Sequence, residues 1–383
     1  MDVAGGNAPP WPRRHRRALI VGAVGLVATL ALAGAAVSWH FSSEVLVPER
    51  SGWPVDATVE GLPPGRIALS RSTATLRPGV YGLLWQGGNA IAGEVVSSNA
   101  DTVTRRLRSL HGYYLRPGMR VAIDTDVYAG NPRQTLGLPF ADVRIPDELG
   151  PMPAWLIPGR FHTWAIVVHG VNGDQQAGLR IAPTLHRDGL PSLLITYRED
   201  LGAPPSPDGL HHMGLTEWRD LQAAARYALV RGARRLVLVG YSMGGAIVSQ
   251  FMERSPLAHR VAGLVLDAPA LDWKSILEFN AEKMGLPGFL ATPVEWAIDA
   301  RIDADWGSLD ALGHPEDFHL PILLFHGTED SIVPISDSTG FAEELQHWVT
   351  YYRVPRADHT ESWNVDPGLY DHRLTTFLHR IGA

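Results

Sequence analysis

RLVLVGYSMGGAIVSQFMER, residues 235–254, places an apolar run directly before a helix-forming run. Leu236–Val239 forms the predicted strand, and Ala246–Arg254 forms the predicted helix. Between them lies GYSMG, residues 240–244, with a glycine two positions before and two positions after its serine. A strand that turns abruptly into a helix needs small residues at these positions, and the turn holds the serine hydroxyl exposed. Ser242 is therefore the candidate nucleophile, and the alternative is an ordinary glycine-rich turn.

The chain after residue 136 alternates predicted strands with predicted helices such as Thr216–Val230 and Ile335–His347. Nearly continuous apolar strands separated by helices are typical of a mostly parallel sheet with helices on both faces. We therefore predict one α/β domain over residues 136–383. Its predicted strands, of which the first two form a hairpin, are Ala141–Ile145, Ala154–Ile157, Trp164–His169, Ser192–Tyr197, Arg235–Gly240, Val261–Asp267, Pro321–His326 and Val349–Val354.

A serine nucleophile needs a general base, and the base needs a carboxylate that orients it. When the serine follows a strand in this way, the acid and then the histidine come later in the chain. Asp330 and His359 follow the last two predicted strands, at the sheet edge that also carries Ser242, so they are the candidate acid and base. Each also has a purely structural interpretation as a turn or loop residue. Asp267, which follows another strand, is the alternative acid, and the alternative histidines are His326, His314 and His372.

A donor for a developing oxyanion is expected where the strand Ala165–Val168 runs into HGVNG, residues 169–173. The backbone N–H groups of Val171 and Met243 are the candidate donors. His169 precedes the turn, so we interpret it as a structural hydrogen-bonding residue. The pair His211-His212 has no third ligand at a suitable spacing, and we predict no metal site. No phosphate loop or dinucleotide fingerprint indicates a cofactor.

These fragments together resemble an α/β-hydrolase-fold serine hydrolase of the lysophospholipase, monoacylglycerol lipase and acyl-thioesterase-like branch. The resemblance covers residues 136–383, and the triple-glycine oxyanion loop of short-chain esterases is absent. It implies a Ser242, Asp330 and His359 triad, an oxyanion hole at Val171 and Met243, and cleavage of ester or thioester bonds in small acyl or lipid-like substrates without a cofactor. The matching pieces are His169-Gly170, residues 240–244, Gly327-Thr328-Glu329-Asp330, and Asp358-His359 followed by Glu361-Ser362-Trp363.

A long insert, residues 270–316, separates two of the predicted strands. In the hydrolase fold an insert at this point usually forms a lid, and we expect its aromatic residues to line an acyl pocket. The alternative is that they form the lid's own core. A lid of this kind favours short- to medium-chain acyl esters over peptides. The aromatic residues are Trp273, Phe279, Phe289, Trp296 and Trp306.

The N-terminal residues predict export to the cell membrane. Four arginines lie within residues 1–17, and the apolar run Ala18–Val37 that follows has Thr29 as its only polar side chain. A run of this length crosses a bilayer once, and the arginines favour a cytoplasmic N-terminus. We predict a cytoplasmic segment 1–17, a single-pass signal anchor 18–38 and an extracytoplasmic catalytic domain. The alternative is a cleaved signal peptide, which would give a secreted protein.

The composition of the 383-residue chain excludes several classes of function. The chain has no cysteine, which rules out disulfides, thiolate metal sites and thiol nucleophiles. Its formal net charge of −7 argues against nucleic-acid binding through a general basic surface. Only two of its 33 basic residues are lysines, a bias that resembles actinobacterial proteins.

Residues 39–135 are predicted to be a small β-rich region of unknown role. Short β segments separated by turn residues make up most of this region, and one predicted helix, 101–110, interrupts them. Because this region shows no recognisable chemistry, three alternatives to an ester hydrolase stay open. They are a peptidase of the same fold, a catalytically inactive cell-surface binding protein, and an envelope assembly factor that acts through residues 40–135.

Overall fold

The computed structural model describes residues 13–49 and 55–383. Helix α1 (Arg13–Leu46) opens this part of the chain, and residues 1–12 of the predicted cytoplasmic segment lie outside it. The last residue of α1 is fully buried and accepts a hydrogen bond from the backbone N–H of His211 at 2.8 Å. Among the described residues, no helix has both the length and the apolar character that a membrane crossing requires.

Six antiparallel strands close into a small barrel after residue 55. They pair in the order β1, β2, β5, β4, β3 and β6, and the pairing of β1 with β6 closes the barrel. Apolar residues such as Val59, Ile67 and Leu83 fill its interior. A short helix, α2 (Thr73–Leu76), connects β2 to β3. The strands are β1 (Ala57–Gly61), β2 (Arg66–Ser70), β3 (Tyr81–Trp85), β4 (Gly88–Ser98), β5 (Thr102–Gly112) and β6 (Arg120–Asp124).

The predicted helix at residues 101–110 is wrong, because most of this stretch forms β5. Its alternate residues Val103 and Arg105 are fully buried in the barrel, and an inward arginine hides the apolar alternation that identifies a strand. Arg105 tolerates burial because its guanidinium donates hydrogen bonds to four backbone carbonyls, those of Gly93, Thr75, Arg77 and Gly79.

The second body is an eight-stranded sheet in the order β14, β13, β12, β11, β9, β10, β8 and β7. The six neighbouring strands β14, β13, β12, β11, β9 and β10 run parallel to one another. Strand β8 pairs antiparallel with β10, and β8 and β7 form the predicted antiparallel hairpin at one edge of the sheet. The strands are β7 (Ala141–Ile145), β8 (Met152–Ile157), β9 (Thr163–Val168), β10 (Ser192–Ile195), β11 (Arg235–Tyr241), β12 (Val261–Asp267), β13 (Ile322–Gly327) and β14 (Val349–Val354).

Helices cover both faces of this sheet, which explains the continuous apolar strands. Successive residues of a strand point to opposite faces, so Leu238 packs in one core and Val239 in the other. Helices α5, α6 and α9 contribute to the first core, and α4 and α11 to the second. The helices are α3 (Pro132–Leu136), α4 (Ala182–Arg187), α5 (Trp218–Val230), α6 (Met243–Arg254), α7 (Trp273–Lys283), α8 (Thr292–Ile302), α9 (Ile335–Glu344), α10 (Ser362–Val365) and α11 (Pro367–Arg380).

The insert at residues 270–316 contains α7 and α8, and it packs against the end of α1. Arg301 of α8 donates hydrogen bonds to the hydroxyls of Ser42 and Ser43, both at 2.9 Å. Its guanidinium also lies 4.6 Å from the ring centre of Trp39. Of the five aromatic residues of the insert, only Trp273 is buried, and Phe289 and Trp296 are each 69% exposed. The insert is therefore joined to the N-terminal helix by polar and cation–π contacts.

Candidate active site

Ser242 lies at the sharp turn between β11 and α6. Its backbone has φ 52° and ψ −120°, a conformation that is strained for a residue with a side chain. The two glycines of the motif allow the turn to pack closely. A Cβ atom on Gly244 would lie 2.3 Å from the carbonyl oxygen of Val168, and one on Gly240 would lie 2.7 Å from the carbonyl oxygen of Gly244. The spacing of small residues around Ser242 is thus a steric requirement of this structure.

The structure brings Ser242, His359 and Asp330 together in one hydrogen-bonded chain. The Nε2 atom of His359 lies 2.8 Å from the hydroxyl oxygen of Ser242, and its Nδ1 atom lies 2.9 Å from Oδ2 of Asp330. Asp330 follows β13 and His359 follows β14, at the carboxyl ends of neighbouring strands. With Nδ1 protonated towards the carboxylate, Nε2 is free to accept the serine proton.

Asp330 is held as a carboxylate by donors on both of its oxygens. Its Oδ1 atom accepts the backbone N–H groups of Ile332 and Val333 at 2.9 and 2.8 Å. Burial alone would raise the pKa of Asp330, but hydrogen bonds from His326 and His359 outweigh burial and hold this pKa well below its usual range. The alternative histidine His326 therefore contacts the acid rather than the nucleophile: its Nε2 atom lies 3.2 Å from Oδ2 of Asp330.

The alternative acid, Asp267, is buried beside the site with a different partner. Its Oδ1 atom accepts the hydroxyl of Ser362 at 2.7 Å, and burial raises its pKa to about 6. Within residues 13–49 and 55–383, no hydrogen bond joins Asp267 to His359. The geometry therefore favours Asp330 as the partner of the histidine.

The two candidate oxyanion donors flank Ser242. Met243 is the first residue of α6, so its N–H group lies at the positive end of that helix. Val171 lies in the turn after β9 and lines the cavity in front of the serine. The preceding residue, Gly170, packs so closely that a Cβ atom there would lie 3.0 Å from Cβ of Ser242. Val171 and Met243 thus lie on the two segments that border Ser242, and their role as oxyanion donors stays a prediction.

His169 anchors the turn that carries Val171. One ring nitrogen lies 2.8 Å from Asp200, and the other lies 2.8 Å from the carbonyl oxygen of Gly170. Burial opposes protonation, but Asp200 outweighs it and raises the pKa of His169 to about 9. The hydroxyl of Tyr197 donates to the same carbonyl at 2.7 Å. His169 is placed to fix the backbone of the turn, as its position before the turn suggested.

A cavity of about 460 Å³ opens in front of Ser242 and His359. One wall is the turn of residues 169–174, and the opposite wall comes from the barrel, through Arg77 and residues 124–126. None of the described residues between 270 and 316 lines it. This corrects the expected acyl pocket of lid aromatics: helix α8 packs against α1, helix α7 contacts Met213 and Ile332, and the barrel lies beside the histidine loop.

The barrel wall of this cavity is acidic. The backbone N–H of Asp126 donates to Oδ1 of Asp124 at 2.9 Å, and the two carboxylates lie close enough to repel each other. Burial, with added repulsion from Asp126, raises the pKa of Asp124 to about 7. Arg180 lies 3.7 Å from Asp126 and partly offsets this charge. The cavity is therefore polar on the barrel side, which no signal in the sequence indicated.

Two family profiles match parts of this chain. Residues 207–379 match the prolyl oligopeptidase family, Peptidase_S9. Residues 55–124, which form the barrel, match a domain of unknown function, DUF8805. The matched residues include all six strands of the barrel.

Similar curated proteins share only modest identity with the chain. The uncharacterized protein YfhR of Salmonella typhimurium is 25% identical over 274 residues, which cover 66% of this chain and 85% of YfhR. The uncharacterized protein Rv2307c of Mycobacterium tuberculosis is 28% identical over 215 residues, which cover 55% of this chain and 65% of that protein.

Solved structures resemble the sheet domain. The Pyrococcus furiosus esterase Pf2001 superposes with a TM-score of 0.54 and 20% identity, over 66% of this chain and 94% of the esterase. The α/β hydrolase GrgF from Penicillium sp. superposes with a TM-score of 0.50 and 18% identity, over 63% of this chain and 99% of GrgF. With the strand order and the strained serine turn, these likenesses show that the chain has an α/β-hydrolase fold.

Proposed function

We propose that this protein is a serine hydrolase that cleaves carboxylic ester or thioester bonds through an acyl-enzyme. The observation that carries the proposal is the hydrogen-bonded chain from Ser242 through His359 to Asp330, with distances of 2.8 and 2.9 Å. The strained turn that carries Ser242, at the cavity, and the nearby backbone N–H groups support it. The similar structures described as an esterase and a hydrolase are consistent with it.

In the proposed reaction, the Oγ atom of Ser242 attacks the carbonyl carbon while Nε2 of His359 accepts the hydroxyl proton. The N–H groups of Val171 and Met243 stabilise the oxyanion. The tetrahedral intermediate then collapses, and the leaving alcohol or thiol takes the proton from His359. Water attacks the acyl-enzyme with His359 again as the base, which releases the carboxylic acid and restores Ser242. Asp330 keeps the imidazole in the required tautomer throughout.

A peptidase of the same fold is the second candidate, because residues 207–379 match the prolyl oligopeptidase family. An ester substrate is favoured by the size of the cavity, about 460 Å³, which suits a small molecule rather than a folded or extended polypeptide. The polar barrel wall further favours a short acyl group or a polar alcohol over a long hydrocarbon chain.

Substrate profiling separates these candidates. We expect p-nitrophenyl acetate and butyrate to be cleaved with kcat/KM at least about 100-fold above p-nitrophenyl dodecanoate and above alanyl or prolyl p-nitroanilides, since the polar cavity gives a long chain no apolar wall. Initial rates across the series, with the Ser242→Ala protein as the blank, measure this. A preference for prolyl anilides would identify the protein as a peptidase. A preference for the dodecanoate would indicate that the insert, residues 270–316, forms the acyl pocket after all.

The proposal includes membrane anchoring through residues 18–38, a segment in which many side chains lie outside the described residues that were found to contain no membrane-spanning helix. The four arginines before an apolar run of 20 residues support it. So does Trp39, which follows that run and is 55% exposed, since tryptophan is enriched at membrane interfaces. The catalytic domain would then lie outside the cytoplasm.

The absence of cysteine allows a direct test of this topology, because each introduced thiol is unique. We expect a membrane-impermeant maleimide to label Leu201→Cys, at a position that is 93% exposed, on intact cells. Ala8→Cys, before the arginines, should be labelled only after lysis. Gel shifts before and after lysis give the result. Labelling of Ala8→Cys alone, or protection of both positions on intact cells, would contradict the proposed orientation.

A further inference from the structure

The loop that carries His359, residues 355–361, is held by the barrel as well as by its own domain. The guanidinium of Arg77 donates to Oδ2 of Asp358 at 2.7 Å and to Oε1 of Glu361 at 2.8 Å. The hydroxyl of Tyr81 donates to the other oxygen of Glu361 at 2.9 Å. Two carboxylates that flank the proposed base are thus bound by two side chains from the domain of unknown function.

Asp358 joins the two loops of the proposed triad. Its Oδ1 atom accepts the backbone N–H of His359 at 2.8 Å and the backbone N–H of Ser331 at 2.8 Å. Ser331 directly follows Asp330, so one carboxylate is bound to the loop of the base and to the loop of the acid. Because the other oxygen of Asp358 binds Arg77, a single arginine holds the connection between both loops.

The histidine loop needs such contacts because its backbone is strained. Thr360, next to His359, has φ 55°, a left-handed conformation that is unfavourable for a β-branched residue. The buried Arg180 donates to the Thr360 carbonyl at 2.8 Å and to the side chain of Asn364 at 3.0 Å. Asn364 in turn donates to the barrel carbonyls of Val80 and Thr125, each at 2.8 Å.

Arg77 is itself placed by the interior of the barrel. The buried Arg105 donates to the carbonyls of Thr75, Arg77 and Gly79, which fixes the segment that carries the Arg77 side chain. Gly79 lies so close to the sheet domain that a Cβ atom on this glycine would be 2.0 Å from the carbonyl oxygen of Asn364. The contact between the two bodies is therefore closely packed and built on buried donors.

We propose that Arg77 is a positioning residue for the hydrolysis. In this proposal the barrel is a part of the catalytic apparatus, because it holds the loop of His359 and the loop of Asp330 in their relative positions. The inference rests on the proposed function of Ser242 and His359. It assigns a role to the barrel through its contacts with Asp358 and Glu361.

Kinetics of Arg77→Ala in the full chain test the inference. We expect kcat for p-nitrophenyl butyrate to fall by about 10²-fold, with KM changed by less than about threefold, because a shift of about 1 Å between reacting groups costs that much in rate. The matched control is Arg116→Ala, an exposed barrel arginine outside the cavity lining, which should keep the parent kinetics. Millimolar guanidinium, compared with sodium at equal ionic strength, should restore part of the rate of Arg77→Ala, since Arg77 lines the open cavity.

The pH profile provides a readout that a purely structural role would not move. Without Arg77, the carboxylates of Asp358 and Glu361 lose their cationic partner, so the pH dependence of kcat/KM should differ from that of the parent. Arg77→Lys should restore the pH dependence of the parent, because it keeps the charge, while kcat recovers only in part, because lysine cannot bridge both carboxylates. The other charged or titratable groups around His359 are Asp330, His326, Asp267, Arg180, His169, Asp124, Asp126 and Asp174.

The outcomes separate this inference from the proposed function. If the parent protein shows no hydrolysis and no fluorophosphonate labelling that depends on Ser242, the proposed function fails. If the parent protein is active and Arg77→Ala keeps its kcat within twofold and its pH profile unchanged, the positioning role is overturned. Should Arg77→Ala not fold, Tyr81→Phe removes only the hydroxyl bound to Glu361, and it must lower kcat without changing KM for the inference to stand.

Discussion

Replacing Ser242 by alanine should lower kcat for p-nitrophenyl butyrate by at least about 10⁴-fold and abolish covalent labelling by a fluorophosphonate. Only the attacking oxygen is lost, because alanine fits the turn whose glycines already bring the backbone close. The melting temperature should stay near or above that of the parent, since the change removes no buried packing. Steady-state rates, labelling on a gel and a thermal melt measure the three quantities.

The matched control is Ser249→Ala, about two helical turns further along the chain in α6. Ser249 is buried and donates its hydroxyl to the carbonyl of Gly245 at 3.0 Å, without contact with His359. It should retain labelling and most of the activity. If Ser242→Ala stays within a few-fold of the parent, the serine is not the nucleophile. If the parent itself is never labelled, the chain is better described as an inactive binding protein.

The positions of the candidate triad were predictable because each residue has a local signal. Ser242 lies in a turn whose glycine spacing is itself a steric requirement. Asp330 follows β13, whose continuous apolar character marks it as a central strand, and His359 follows β14, which lies beside β13 at the edge of the sheet. Parallel strands bring their carboxyl ends to the same side of the sheet. The ambiguity between Asp330 and Asp267 could not be resolved from the sequence, because both lie at the carboxyl ends of continuously apolar strands. Only the folded structure shows which carboxylate faces the imidazole.

The wall of the cavity was not predictable in the same way. Arg77 lies 281 residues before Asp358, and no periodic pattern links a partly buried barrel arginine with a loop so distant in the chain. The insert, by contrast, attracts attention through its aromatic residues, although the structure buries only Trp273 and leaves Phe289 and Trp296 largely exposed. The buried arginine inside β5 adds a second difficulty, since an inward charge imitates the pattern of a surface helix. The cavity wall depends on how the barrel and the sheet domain pack against each other, which no local sequence pattern specifies.

Replacing Asp330 by asparagine should lower kcat by about 10³- to 10⁴-fold, with little change in KM. The asparagine oxygen would keep the hydrogen bonds from the N–H groups of Ile332 and Val333, so its NH₂ group would face His359. That group donates, which forces Nδ1 of His359 to accept and moves the ring proton to Nε2. The imidazole then donates to Ser242 and cannot accept its proton.

Asp267→Asn is the matched control for this change. Asp267 is equally buried and also follows a central strand, but its Oδ1 atom accepts only the hydroxyl of Ser362, and an asparagine oxygen can replace that acceptor. We expect less than a tenfold loss of kcat for this variant. The rates of the two variants, measured between pH 6 and pH 9, decide the question. A larger loss for Asp267→Asn than for Asp330→Asn would transfer the role of the acid to Asp267, and His359 would then have to turn away from Asp330 during the reaction.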